Sequence, residues 1–188
     1  MYNNDVQLCG ALAMCWWKTT HTFHFSFGEM GITPLDFTML TGIPIGQGAT
    51  LPYDELYQQY DLLASIFPHL NLRGGGLTNN RHIRTSFMKQ AVMDLVERQP
   101  AVHHLEILRL FILYMMGNLF FTNSSNTLPC GYVAVVAGMS FDSTPITNDW
   151  GTPIVAHLYR GLDQQCIIWT RGSSITGFWE LLQYWYFE

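Results

Sequence analysis

The fold is decided by residues 16–46, whose sequence is WWKTTHTFHFSFGEMGITPLDFTMLTGIPIG. Polar and aromatic residues alternate from Thr20 to Phe27. This period of two predicts a half-buried strand, with the phenylalanines and His21 on one face and the threonines and His24 on the other. Gly28 predicts a turn, after which residues 30–32 can return as a short antiparallel strand.

A short helix is predicted directly after this hairpin. Thr33 stands at the N-cap, Pro34 at the first helical position and Asp36 close to the positive end of the helix dipole. Gly42 fits the position after the last helical residue, and Pro44 prevents the helix from continuing. The predicted apolar face of this helix consists of Leu35, Phe37, Met39 and Leu40.

Two histidines and one glutamate in the hairpin invite a chemical interpretation. Residues three apart on a strand face opposite sides, so His21 and His24 cannot bind one metal ion without a bulge. We therefore predict that both rings bond locally, to backbone groups or threonine hydroxyls. For Glu29 we predict a structural role as an acceptor of backbone N–H bonds in the turn.

The segment resembles the opening motif of the plant mobile domain family, also called the aminotransferase-like plant mobile domain. That motif runs roughly W-x-x-T-H-T-F-H-x-x-x-G-E-x-x-I-T-L-x-D and ends in Gly-Leu-Pro. Pro34 and Ile43 replace leucines of the family pattern, and both suit the local structure. The matching residues are Trp17, Thr20, His21, Thr22, Phe23, His24, Gly28, Glu29, Ile32, Thr33, Asp36, Gly42 and Pro44.

Later segments resemble the same family in the same order. Residues 110–121, LFILYMMGNLFF, are similar to its leucine-rich helix and include Gly117. A second helix pattern carries Trp150, Gly151, Tyr159 and Arg160, and an aromatic segment with Trp179 and Trp185 follows. Family modules generally continue beyond this point. We therefore expect residues 1–188 to be the N-terminal part of a longer plant mobile domain, or a shortened member.

The composition leaves two interpretations open. Hydrophobic residues make up 48% of the chain and charged residues only 12%, about half the usual charged share. Either a large apolar patch lies on the surface for a partner to cover, or the aromatic residues pack tightly inside. Four cysteines without C-x-x-C spacing, and no basic, apolar leader at residues 1–5, predict reduced thiols in an intracellular protein.

The remaining chain predicts one mainly α-helical domain with a small β-hairpin near the N-terminus. A first helix is expected to run from Asn3 or Asn4 to Trp16. Further helices are predicted over residues 53–67, 80–98, 102–116, 150–165 and 174–187. Residues 131–139 are compatible with a strand or a short helix. The longest apolar run, residues 110–121, is too short and too interrupted to span a membrane.

The sequence lacks the residue sets that several enzyme classes need. Pyridoxal phosphate chemistry needs a Schiff-base lysine, and the two lysines, Lys18 and Lys89, adjoin no phosphate-cradling glycine turn. The metal-binding clusters of a phosphatase and the G-x-S-x-G elbow of a hydrolase are both missing from the sequence. We predict no catalytic, cofactor-binding or metal-binding residue, and no enzyme.

The net charge of −5 argues against a nucleic-acid footprint, which is usually basic. The densest positive stretch, Arg73, Arg81, Arg84 and Lys89, allows at most a weak contact. We therefore predict a non-enzymatic interaction module. The family resemblance implies a nuclear location and a phosphatase-7-like protein partner. It also implies roles in gene-expression control, transposable-element silencing and meristem maintenance. Two alternatives stay open: a transposon-derived nucleic-acid-binding domain and a cryptic hydrolase.

Overall fold

A computed structural model of the chain describes residues 6–72, 74–79, 81–98, 100–140, 148–168 and 176–188. Eight α-helices lie within these residues: α1 Val6–Cys15, α2 Pro34–Thr41, α3 Tyr60–Ile66, α4 Thr85–Arg98, α5 Pro100–Met115, α6 Ala134–Ala137, α7 Gly151–Ile168 and α8 Glu180–Phe187. The described strands are β1 Trp16–Trp17, β2 Thr22–Phe25, β3 Gly28–Met30, β4 Ala49–Thr50, β5 His82–Arg84, β6 Thr127–Pro129 and β7 Asn148–Asp149. The predicted mainly helical class with a small N-terminal β-structure is confirmed.

The contacts divide the chain into two compact units. The first consists of Met1–Ala49 and Asn148–Glu188, and the second of Thr50–Thr147. Extension of one domain over residues 1–188 stays a prediction. In the described helices, no segment is long and apolar enough to cross a membrane.

The first unit is built around an antiparallel sheet of order β1-β2-β3. Its core lies where the sheet meets α1, α7 and α8. Phe23 and Phe37 are fully buried there, together with Ile154, Leu158 and Leu182. The predicted hairpin is thus a three-stranded sheet, because Trp16 and Trp17 pair with Phe23 and Thr22 rather than ending the first helix.

The central strand is shorter than its alternating pattern predicts. It covers only Thr22–Phe25, because a turn closed by the His21 N–H and the Trp17 carbonyl precedes it. Phe25 pairs with Gly28, so the next turn consists of Ser26 and Phe27, and the return strand is residues 28–30 rather than 30–32.

Helix α2 confirms its predicted start and end. The Thr33 side chain accepts a bond from the Asp36 N–H while the Asp36 carboxylate accepts one from the Thr33 N–H, which is a capping box. Gly42 takes the left-handed conformation at the helix end. The predicted apolar face is wrong in part: Phe37 is buried, but Leu35 and Met39 are 66% and 76% exposed.

The second unit packs α4 against α5 beside the two-stranded β5–β6 sheet. We predicted one helix over residues 80–98, but residues 82–84 form a strand paired with Thr127–Pro129. Residues 53–67 likewise form two helical pieces instead of one, a 3₁₀ turn at Glu55–Gln58 and α3. Gln59 separates them in an extended conformation.

Three further features of the fold bear on the sequence predictions. Residues 130–137 are helical, as a 3₁₀ turn followed by α6, which resolves the ambiguity between strand and helix. A π-helical turn, Met116–Phe120, ends α5 and contains the motif residue Gly117. A β-carbon at Gly117 would lie 2.9 Å from the Thr85 methyl group, so this position has no room for a side chain. The predicted caps at residues 3–4 and the predicted start of the last helix at residue 174 lie outside the described residues. Residues 176–179 are described and are not helical, so the predicted helix over residues 174–187 is wrong in its first part and α8 begins at Glu180.

Candidate interaction surface

The three-stranded sheet of the first unit has two chemically different faces. Side chains directly opposite each other on antiparallel strands share a face. Trp16 pairs with Phe23, and both are buried on the inner face. On the outer face Trp17 pairs with Thr22, and His24 pairs with Glu29.

The motif residues of the outer face form one hydrogen-bonded network. The Thr22 hydroxyl donates to Glu29 Oε1 at 2.5 Å, and the Thr20 and Thr22 hydroxyls lie 2.6 Å apart. His24 Nε2 is 3.3 Å from both Thr22 Oγ1 and Glu29 Oε1, while the Trp17 ring lies 4.6 Å from the His24 ring. The predicted bonding of His24 to threonine hydroxyls therefore occurs.

Glu29 has different partners from those predicted. Its carboxylate accepts the Thr22 hydroxyl and pairs with His24, instead of accepting backbone N–H bonds. The Thr22 hydrogen bond, followed by the positive charge of His24, lowers the pKa of Glu29 below its usual value. Two strands are thereby joined by side chains as well as by the backbone ladder.

The His21 ring contacts residues on the inner side of the sheet. Its backbone is left-handed, with φ 54°, which turns the ring towards Trp16 and Tyr159 at centroid distances of 5.8 and 5.4 Å. Its Nε2 lies 3.3 Å from Asp163 Oδ2 on α7. The prediction of a purely local bond is wrong for His21, because its partner comes from a helix far along the chain.

Two motif positions fix α7 against the N-terminal segment. The Tyr159 hydroxyl donates to the Ile32 carbonyl at 2.5 Å, and burial raises the pKa of Tyr159. A β-carbon at Gly151 would lie 2.4 Å from the Pro44 carbonyl oxygen, so only glycine allows this close approach. Arg160 is exposed on the same helix, where it is available to a partner. Trp150 is half-buried at the N-terminus of α7, where Asp149 accepts a bond from the Thr152 N–H.

An aromatic surface lies where the β2–β3 turn meets α8. We call it the aromatic edge and define it as Phe25, Phe27, Tyr186 and Phe187. The Phe25 and Phe27 rings stack at 5.0 Å and 9°, Phe25 lies 6.4 Å from Tyr186, and Tyr186 lies 5.7 Å from Phe187. Phe27 and Phe187 are 74% and 71% exposed.

The aromatic edge is held in place by the buried core. Phe23 stacks at 6.3 Å on Phe25 and at 5.0 Å on Trp185, and Phe23 itself is fully buried. Gly28 stands opposite Phe25 in the ladder, so no cross-strand side chain covers the Phe25 ring. The edge is thus a preformed row of rings. Trp179, the other tryptophan of this segment, is half-buried just before α8.

The described residues of the first unit carry more acidic than basic side chains. Six acids and two bases occur among the described residues of the first unit. The acids are Glu29, Asp36, Asp149, Asp163, Glu180 and Glu188, and the bases are Lys18 and Arg160. The balance of −4 follows from these counts, with histidine taken as neutral. A partner with apolar and basic side chains would complement the aromatic edge and the charge balance of this unit.

The predicted positive stretch, Arg73 to Lys89, belongs to the second unit. Fewer of its side chains are available to bind phosphate than the sequence implies. Arg73 lies outside the described residues. The Arg81 guanidinium donates a hydrogen bond to the Gln58 carbonyl, which ties it to the end of the 3₁₀ turn Glu55–Gln58. Arg84 and Lys89 are exposed, on β5 and α4.

One cluster of possible metal ligands was not predicted from the sequence. His69, His103 and Glu106 of the second unit bring their ligand atoms within 4.8 Å of one another. The H-x-x-E spacing of His103 and Glu106 on a helix was a usable signal. His69 could not be added from the sequence, because it comes from a separate turn.

Comparison with known proteins identifies the family. The plant mobile domain profile matches residues 1–188. The chain belongs to the plant mobile domain family. Protein MAIN-LIKE 2 of Arabidopsis thaliana is 29% identical over 187 residues, which cover 96% of this chain and 26% of the relative. The serine/threonine-protein phosphatase 7 long form homolog of the same plant is 27% identical over 186 residues, 98% of this chain and 13% of the relative.

The resemblance inferred from the motif is thus confirmed. The chain spans about a quarter or less of the length of these plant mobile domain relatives. No solved structure matches the chain. Many of the motif residues belong to three local features of the structure: the outer network, the α2 caps and the contacts of α7 with the N-terminal segment.

Proposed function

We propose that this plant mobile domain is a non-enzymatic module that binds a protein partner through the aromatic edge. The observation that carries the proposal is the stacked pair of Phe25 and Phe27 rings, of which Phe27 is 74% exposed. Aromatic anchors are the usual hot spots of protein interfaces. Their contact with buried Phe23 through Phe25 pre-orders them, which lowers the entropy cost of binding.

A phosphatase-7-like protein is the partner class that we propose. One relative carries the words phosphatase 7 in its name, and the family resemblance implies such a partner. The negative charge balance of the first unit favours a docking segment that carries basic as well as apolar residues. We further propose a nuclear location and roles in gene-expression control, transposable-element silencing and meristem maintenance.

The outer network of the sheet supports a structural rather than a catalytic role. A nucleophilic hydroxyl needs a base to take its proton. Thr22 donates its hydrogen to Glu29 at 2.5 Å, but the lowered pKa of Glu29 makes this carboxylate a weak base for such a step. Lys18 and Lys89 are both exposed, as expected of solvated side chains rather than of a Schiff-base lysine.

The charge distribution supports protein over nucleic acid as the partner. Phosphate contacts need clustered free cations. Arg81 is hydrogen-bonded to the Gln58 carbonyl, and the aromatic edge lies in a unit with six acids and two bases among its described residues.

Affinity capture tests the proposal with a purified phosphatase-7-like protein from Arabidopsis. The immobilised 188-residue chain is expected to retain it, and the double variant Phe27→Ser, Phe187→Ser to lose it. Met93→Ser, which changes an apolar side chain 48% exposed on α4, is the matched control and should retain it. Failure of the unaltered chain to retain the partner would reject this partner class. A gel shift that weakens steeply with salt would favour nucleic acid instead.

A further inference from the structure

Three side chains of the second unit converge beside the turn that follows α3. His103 and Glu106 are three residues apart on α5, so they share one face of the helix. His69 follows Phe67, which is 1% exposed and anchors the turn in the core. Each of the three side chains offers an atom that binds divalent metals.

Glu106 already holds His69 by both of its oxygens. Its Oε1 accepts the backbone N–H of His69 at 3.2 Å, and its Oε2 lies 2.7 Å from His69 Nδ1. The His103 ring stands edge-on to the His69 ring, with a centroid distance of 4.4 Å. The backbone bond of Oε1 fixes the carboxylate, and Oε2 contacts the His69 ring, with a ligand atom of His103 within 4.8 Å.

The Glu106 carboxylate is buried and the His69 ring is exposed, as expected of a metal site that is open to solvent on one side. The Glu106 side chain is only 8% exposed, whereas that of His69 is 54% exposed. A buried carboxylate is costly unless a positive charge or hydrogen-bond donors compensate it. The His69 N–H and ring already meet this need in part, and a bound cation, entering from the solvent side of His69, would supply a full positive charge in place of the contact with the ring.

We infer that His69, His103 and Glu106 form a binding site for a divalent transition metal of the zinc type. Two imidazoles with one carboxylate favour zinc and its neighbours over magnesium and calcium, which prefer oxygen ligands. Three protein ligands leave the fourth tetrahedral position to water. The metal would join the turn after α3 to α5 through these side chains.

The adjustment required for binding is small. Ligand atoms bound at about 2.0–2.1 Å around a tetrahedral ion lie roughly 3.3 Å apart. The 2.7 Å contact between His69 and Glu106 must therefore open slightly, and the widest separation, within 4.8 Å, must close. The exposed His69 ring can move without disturbing the core.

Metal titration of the 188-residue chain tests the site. One equivalent of Co²⁺ is expected to produce the visible absorption of a tetrahedral ion, and Zn²⁺ should displace it. His103→Asn and Glu106→Gln should weaken Zn²⁺ binding by more than the roughly 10–100-fold that loss of a supporting residue costs. His104→Asn, at the exposed neighbouring position on α5, is the matched control and should bind normally.

Circular dichroism without metal separates loss of binding from loss of folding. If His103→Asn or Glu106→Gln fails to fold, His69→Gln replaces it, because the exposed ring contributes little to the core. Zn²⁺ affinity equal in the unaltered chain and in folded ligand variants would overturn the inference. So would a lack of stoichiometric binding by the unaltered chain, and the cluster would then be a hydrogen-bonded tether alone.

Discussion

Trp16 Nε1 donates a hydrogen bond of 2.8 Å to Asp163 Oδ1, which joins the first strand of the sheet to α7. The indole is 4% exposed, so its N–H has lost water and depends on this acceptor. The second oxygen of Asp163 lies 3.3 Å from His21 Nε2. One carboxylate thus fixes two aromatic residues of the opening segment.

Removal of that carboxylate should destabilise the plant mobile domain. Asp163→Ala leaves a buried N–H unsatisfied, which costs about 1–3 kcal/mol. Urea unfolding followed by tryptophan fluorescence would measure the loss. Asp163→Asn, which keeps a carbonyl oxygen as acceptor, is the control and should lose less. Equal stability of Asp163→Ala and the unaltered chain would show that this bond does not support the fold.

Gly151→Ala tests the close approach of α7 to Pro44. Its β-carbon would meet the Pro44 carbonyl oxygen at 2.4 Å and Ile45 Cγ1 at 2.6 Å, so the backbone must shift. Overpacking of this kind costs about 1–3 kcal/mol, measurable by thermal unfolding. Gly138→Ala is the matched control, since nothing lies within 4 Å of its β-carbon. If both variants melt like the unaltered chain, the contact is not required.

Glu180 gives the fold a specific pH dependence. Burial raises the pKa of Glu180 above its usual 4.5, and its Oε2 has no hydrogen-bond partner among the described residues. As pH rises from about 4.5 through the raised value, the unfolded chain releases this proton before the folded chain does. Stability should therefore fall across that window.

The variant Glu180→Gln should lack this fall and be more stable than the unaltered chain at pH 7. Denaturant unfolding of both chains between pH 4 and pH 8 measures the difference, and other ionisable groups cancel in the comparison. Glu29 and Asp149, whose pKa values are lowered by hydrogen bonds, act in the opposite direction at lower pH. A variant no more stable than the unaltered chain at pH 7 would contradict the effect assigned to Glu180.

Local chemistry explains what the sequence predicts well. The start and end of α2 depend on Thr33, Asp36 and Gly42, which act within one or two turns of the helix. Strand β2 likewise follows from its alternation, although the turns at both ends shorten it. Such features need no knowledge of distant segments.

Distant partners explain what the sequence could not predict. Residues 82–84 have a helical pattern but form a strand, because residues 127–129 supply its ladder. His21 bonds to Asp163 on α7 rather than locally. The sequence likewise could not show that the turn carrying His69 lies beside Glu106. Nor could the sequence show that the rings of Phe27 and Phe187 are exposed, because the burial of a side chain depends on how the whole unit packs.

The affinity of the chain for a phosphatase-7-like protein tests the central claim most directly. Calorimetric titration would compare the unaltered chain, the double variant Phe27→Ser, Phe187→Ser, and the control Met93→Ser. Loss of two interface anchors, each worth at least about 1 kcal/mol, should raise the dissociation constant by about tenfold or more, while the control binds normally. An unchanged dissociation constant for the double variant, with its fold intact by circular dichroism, would contradict the assignment of the aromatic edge as the binding surface.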